Sequence, residues 1–483
     1  MLELALALAI VTQDQVPLRG AAQENAPKHA LLTAGDALEV RAEQGDWLQV
    51  WDHRRERGGY VRATQTRRLL PGKEGAARQK ILVEFLADQP GRETLGIGYA
   101  AAFLAAVPEG DADVYEAVGK MADRLVWRAT RATRAAGKET ALRLSEAHLE
   151  SAKSYGVAVY SVESADQMTL CYDGAAWQAL LGRPEASLEQ KARAALALTR
   201  FECVPPTPSP SARLAEDEAR ATRLEAVLAE GQQTGSLSPL WQARLQLRAA
   251  GVWATLAHER ARQLQPDAQA VQTAGQKALS RFMAVDGSVL KDADARAWQE
   301  TAIRVGTSRW SQSAPEFPVA DGKAKNAKNR PSLQAQPGQP GQTCLSLQEG
   351  GKEALRACTY GQVWPASLTL SPDGRMLTLA VQPLPTWREL WVFQKTEKGW
   401  TQEALPPAAE AQAGYLEFAG WVPGNQKMLV ARETIVNGYP KTRFELWDRA
   451  TLKVEKQAER PEHLTPFYRW QDPAWKAGTV AVR

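Results

Sequence analysis

Trp47, Trp51, Arg54, Arg55, Arg57 and Tyr60 are the densest collection of side chains in this sequence able to grip another molecule. Indoles and a phenol offer apolar faces with polar edges, and guanidiniums offer forked donors for carboxylate or phosphate. Arg54, Arg55, Arg57, Arg62, Arg67 and Arg68 against Asp52 and Glu56 leave the stretch locally positive by four, six minus two. That charge would attract an anionic polymer, a lipid phosphate or an acidic partner, although a solvated hairpin tip would carry the same residues. Alternation along a strand puts Trp47 and Trp51 on one face, so both belong to the core or both line a groove. The expected site is one of binding, with no catalytic residue, no cofactor and no metal.

Familiar catalytic patterns fail one by one. His258-Glu259 begins like a zinc-protease helix, but Arg262 stands where the second histidine would be. Nucleophile elbow, phosphate loop and paired zinc-type cysteines are absent. Gly96-Ile97-Gly98 matches a dinucleotide fingerprint in its letters, yet Arg92-Glu93-Thr94 precedes it where that motif requires a buried strand. The five histidines, at 29, 53, 148, 258 and 463, are scattered. Under the rival reading of a hydrolase, Glu146 or Glu150 near Tyr155 would supply the catalytic carboxylates, although helix faces are full of solvated glutamates.

Cys344 and Cys358 flank Gly350-Gly351, where a turn would fold two strands together and set the sulfurs across a hairpin. Closing that loop constrains the unfolded chain by about 3 kcal/mol in an oxidising compartment. Cys171 and Cys203 then pair by elimination; four reduced thiols in a cytosolic protein are the alternative.

These elements sit in a chain of 483 residues, 44% hydrophobic and 24% charged, which suits about three globular domains. A net charge of +4 is far from the lopsided balance of a nucleic-acid binder, and no apolar run is long enough to span a membrane. Leu2 to Val11 is apolar but short, contains Glu3 and lacks the basic start of a signal peptide, so it is expected in the first strand.

The organisation reads as a mixed α+β multidomain chain: a small β-barrel over 1–70, an α-helical domain over 76–310, a linker over 311–343 and an antiparallel β domain of repeats over 344–483. Gly35 to Val61 alternates in short runs broken by Gly and Asp, and Val11 to Arg19 supplies an opening strand with Pro17. This order resembles a bacterial SH3-like (SH3b) domain. About eight helices follow. One starts at Ser238-Pro239 with Trp241, Leu245, Ala249, Val252 and Leu256 along one face, and another runs from Ser211 to Gly231. His258 to Ala270, with Pro266 as the stop, resembles a tetratricopeptide junction without a 34-residue period. Gly156 to Val162 is strand-like and predicts a small hairpin near Cys171. The linker is rich in proline, and its cations Lys323, Lys325, Lys328 and Arg330 suit a solvated tether.

In the C-terminal part, Ser371-Pro372-Asp373-Gly374 sits between alternating strands, Val422-Pro423-Gly424-Asn425 repeats the shape, and Phe467 to Pro473 is a degraded third start. The pattern resembles the WD40-like blades of TolB-type β-propellers, of which about three would be present where closure normally needs four or more. Eight of sixteen tryptophans fall between Trp364 and Trp475; blade cores account for most, with stacking on sugars or a partner for the rest. The resemblances imply a periplasmic or secreted scaffold or binding adaptor, with a cytoplasmic location as the alternative. Its SH3b module would contact cell-wall polymer or an envelope protein, and its β repeats could pair with a second copy. The rival is a peptidoglycan hydrolase targeted by the same module.

Overall fold

The computed structural model describes residues 7–70, 72–134, 139–164, 167–205, 207, 209–318, 330–409, 411–473 and 475–476. The chain divides into two compact units, Met1–Pro206 and Thr207–Arg483. The boundary falls inside the stretch expected as one helical domain, so each unit combines helices with its own sheet.

In the first unit, β1 (Leu8–Val11), β2 (Val16–Arg19), β3 (Lys28–Leu32), β4 (Ala37–Gln44), β5 (Trp47–Asp52), β6 (Arg57–Arg62) and β7 (Thr66–Arg68) form one antiparallel sheet. Its order is β3-β2-β6-β5-β4-β1-β7, and the path does not close, so the expected barrel is an open curled sheet among the described residues. Gly45, at φ +58, makes the tight turn from β4 to β5. Ala9, Val11, Val16, Leu18, Leu38, Leu48, Val50 and Val61 pack into the concave core. Ile10 and Ala34 instead join the core of the helices α1 (Gly72–Ala87), α2 (Glu93–Ala106), α3 (Ala112–Arg134), α4 (Glu139–Lys153), α5 (Ala175–Leu181) and α6 (Leu188–Ala197). The hairpin predicted near Cys171 is β8 (Val159–Ser164) and β9 (Gln167–Tyr172), and Cys171 is bonded to Cys203.

Gly96 and Gly98 lie inside α2. A Cβ at 96 would overlap Met121, and one at 98 would overlap Ile10. These glycines let α2 press against α3 and the sheet, which is what their spacing does here instead of cradling phosphate.

The second unit begins with α7 (Pro210–Thr234), α8 (Pro239–Ala261), α9 (Ala268–Met283) and α10 (Ala295–Thr307). Ser209 caps α7 through the Ala212 N–H, and Gly235 ends it at φ +63, so this helix runs a turn beyond the expected Gly231. The apolar stripe expected on α8 is too narrow a description. Nearly every residue from Ala243 to His258 is buried, because neighbouring helices cover several of its faces. Asp267 caps α9 at the predicted junction by accepting from the Gln269 and Ala270 N–H groups.

Of the expected linker, Ser332–Pro337 is strand β10, which pairs with β11 (Thr343–Glu349) and through it β12 (Lys352–Thr359). Arg330 is exposed, while Lys323, Lys325 and Lys328 lie outside the described residues. Cys344 and Cys358 face each other across the β11–β12 hairpin and are bonded.

The main C-terminal sheet consists of two four-stranded meanders. The first is β13 (Gln362–Leu370), β14 (Met376–Leu384), β15 (Trp387–Thr396) and β16 (Gly399–Leu405); the second is β17 (Ala413–Trp421), β18 (Lys427–Val436), β19 (Tyr439–Asp448) and β20 (Lys453–Ala458). A short parallel pairing of β15 with β17 joins them, so the region is not antiparallel throughout. Both predicted turns stand where expected, and Arg449 ties them together by donating to the Asp373 carboxylate and the Asn425 carbonyl. The expected third start is helix α11 (Thr465–Trp470), with Pro466 in its first turn and Phe467 buried against the second meander.

Candidate functional site

Strand β5 sorts the first unit's aromatic residues by simple alternation. Leu48 and Val50 point to the core, so Trp47, Gln49 and Trp51 point outward, opposite Arg62, Tyr60 and Gly58 of β6. The Trp47 ring lies under the Arg62 guanidinium at 4.4 Å and is 6% exposed. Glu24 and Asp46 hold Arg62 in place at 2.8 and 3.4 Å. The hydrogen bond from Arg62, with charge from Arg62 and Arg19, keeps the Glu24 carboxyl below its ordinary range. Trp51 is half-buried, with Arg41 at 4.8 Å from its ring. It lies across Gly58, where a Cβ would come within 3.2 Å of the indole. Tyr60 is half-buried between them. The result is an aromatic strip on the outer face of the sheet, interleaved with stacked guanidiniums.

The arginines singled out beside it occupy other positions. Arg54 Nη2 donates to both carboxylate oxygens of Asp36 at 2.9 Å. Arg55 Nη1 donates to Asp36 at 2.9 Å and Asp52 at 2.6 Å. Burial works against the charge of Arg55, but the two carboxylates outweigh it and raise its pKa. Asp52 also accepts from the Arg54 and Arg55 N–H groups, fixing the β5–β6 turn. Arg57, exposed, donates to the His29 carbonyl. The charge count over the hairpin missed Asp36, which arrives from the start of β4.

Glu146 is exposed on α4, and Glu150, 74% exposed, lies 3.6 Å from Arg54. Between them on the same helix, His148 is buried. Arg128 donates to its Nδ1 at 3.1 Å, and a guanidinium cannot accept, so Nδ1 is the acceptor and Nε2–H donates to Asp14 at 2.8 Å. Glu93, also buried, takes Arg124 at 2.6 Å and Arg128 at 3.0 Å. This network ties α2, α3 and α4 to the β1–β2 loop. Nothing in the sequence pattern signalled it, because its members come from four separated segments.

In the second unit, His258 is buried with Nε2 at 3.3 Å from the Gln382 carbonyl, which makes it a packing residue between α8 and β14. Five of the eight C-terminal tryptophans, Trp364, Trp391, Trp400, Trp447 and Trp475, are buried. Among the described residues no group of three or more His, Cys, Asp or Glu side chains could hold a metal ion, and no helix is long and apolar enough to cross a membrane. No protein-family model, curated protein or solved structure matches the chain.

Proposed function

We propose that this protein is a non-catalytic scaffold or binding adaptor of the cell envelope, whose N-terminal sheet is an SH3b-like module contacting cell-wall polymer or an envelope protein. The observation that carries this reading is the strip of Trp51 and Tyr60 on the outer face of the sheet, half-exposed and unneeded by the core. The two paired disulfides fit an oxidising compartment, and the two meanders support a propeller-like reading of the tail. Because Arg54 and Arg55 are engaged internally, binding would rest on stacking more than on charge, and salt would weaken it little.

Co-sedimentation of the full chain with purified cell wall tests the reading. Binding that falls in Trp51→Ala and in Tyr60→Ala, and persists in Arg57→Ser, is expected. Wild-type protein that stays in the supernatant, or variants that bind as wild type, would refute the wall-binding face. Release of soluble wall fragments, abolished by Glu146→Ala or Glu150→Ala, would replace it with the hydrolase.

A further inference from the structure

The second unit contains a cleft of about 810 Å3 between α10, the β18–β19 hairpin and α11, within the roughly 300–1,000 Å3 typical of small-ligand sites. Four aromatic residues line it, Trp298, Phe444, Tyr468 and Trp475. Trp298 of α10 is backed by Phe282, ring centroids 4.9 Å apart. Trp475 is 7% exposed, donates its indole N–H to the buried Glu417 at 3.0 Å, and meets Phe444 and Phe467 edge-on. Glu417 is itself fixed by Arg309 at 2.6 Å and Arg388 at 3.1 Å. Tyr468 of α11 is 63% exposed at the rim. The two indoles are therefore positioned before any ligand arrives, which reduces the ordering cost of binding.

The charged lining balances: Glu433, Glu459 and Glu462 stand against Lys441, Arg460 and Lys476. Such a wall gives no net attraction to a polyanion or polycation. It does offer acceptors and donors side by side, the complement of a ligand whose hydroxyls both donate and accept. Apolar ring faces beside those groups suit the C–H faces of a pyranose.

We propose that this cleft binds a neutral saccharide, stacked on Trp298 and Tyr468 with its hydroxyls held by the mixed carboxylate and cationic rim. The proposal rests on the second unit alone and stands apart from the aromatic strip of the first.

Calorimetric titration of the full-length protein with chitotetraose and with cellotetraose tests it. Saturable binding of at least one is expected, weakened about tenfold by Tyr468→Ala, the loss of one stacking surface. Tyr468 is mostly exposed, so its removal leaves the core intact; Trp298→Ala, checked by circular dichroism, should weaken binding as much. Absence of binding at millimolar sugar, or binding indifferent to Tyr468→Ala, would overturn the assignment. Binding of an amphipathic peptide in place of either sugar would assign the cleft to a protein partner and likewise overturn it.

Discussion

Arg54 Nη2 lies 2.9 Å from each carboxylate oxygen of Asp36, a side chain only 3% exposed. A residue expected to reach for a ligand is thus used to compensate a buried charge at the start of β4. Arg55 contacts the same carboxylate, so the two arginines are not equivalent to Asp36 in mutation. Asp36→Ala leaves two guanidiniums without their shared partner and should cost about 3 kcal/mol. Arg54→Ser leaves Arg55 in place and should cost about 1 kcal/mol. Urea melts of the full chain measure both; equal costs would mean that Arg55 does not compensate Asp36 when Arg54 is gone.

The disulfides should differ in their effect. Cys171 and Cys203 are 32 residues apart and Cys344 and Cys358 are 14 apart, so loop entropy gives about 4 and about 3 kcal/mol respectively. The β11–β12 ladder already holds the shorter loop in register, whereas Cys203 ends a single helical turn, Phe201–Cys203, held to the β8–β9 hairpin by the Tyr160 hydroxyl, which donates to the Cys203 carbonyl at 2.6 Å. Cys203→Ser should therefore lower the stability of the first unit more than Cys358→Ser lowers that of the second. Intact mass before and after reduction, with thermal melts, checks the order.

Acid and alkali should loosen the outer edge of the second meander. Lys427 donates to Asp448 at 2.9 Å and also pairs with Glu455. The Lys427 hydrogen bond, then the Thr451 N–H and hydroxyl, hold the Asp448 carboxyl at about 2. A depressed carboxyl pKa contributes stability above the unfolded value of 3.8, lost as pH falls toward 2. Lys427 is raised above 10.5, by Glu455 first and then Asp448, so its contribution is present below that value and lost as pH rises past it. Carbon-detected NMR titration of Asp448 should show the low value in wild type and an ordinary one in Lys427→Ala.

What was legible in the sequence was whatever local pattern dictates. The strands of Gly35 to Val61, the Ser371 to Gly374 turn and the cross-hairpin cysteines all follow from alternation, turn chemistry and short spacing. Arrangements depending on distant partners were not legible. Asp36 beneath Arg54, and Glu93 and Asp14 around Arg128 and His148, meet only after folding. Trp298 gave no signal because it is an isolated aromatic on an ordinary helix, and Tyr468 was absorbed into the aromatic run read as a blade start. The third blade misread Phe467 to Pro473, where aromatic content outweighed Pro466 as a helix-start signal.

Gly306 is the residue on which the docking of α10 turns. A Cβ there would overlap the Tyr415 ring, and the backbone cannot easily retreat, because Arg388 donates to the Gly306 and Thr307 carbonyls at 2.6 and 2.8 Å. That buried guanidinium satisfies the last carbonyls of the helix and opposes the negative end of its dipole. Alanine would gain up to about 1 kcal/mol of helix propensity, but overpacking at a tight contact costs typically about 1–3 kcal/mol. With the backbone pinned, the clash should win, and Gly306→Ala should destabilise the second unit. The same shift would move Trp298 and the α10 wall of the cleft, so saccharide affinity should fall with stability. Ser at 306 should behave like Ala, since it carries the same Cβ. A Gly306→Ala protein melting at or above the wild-type temperature would show that α10 slides on the sheet and that the Arg388 clamp does not hold it.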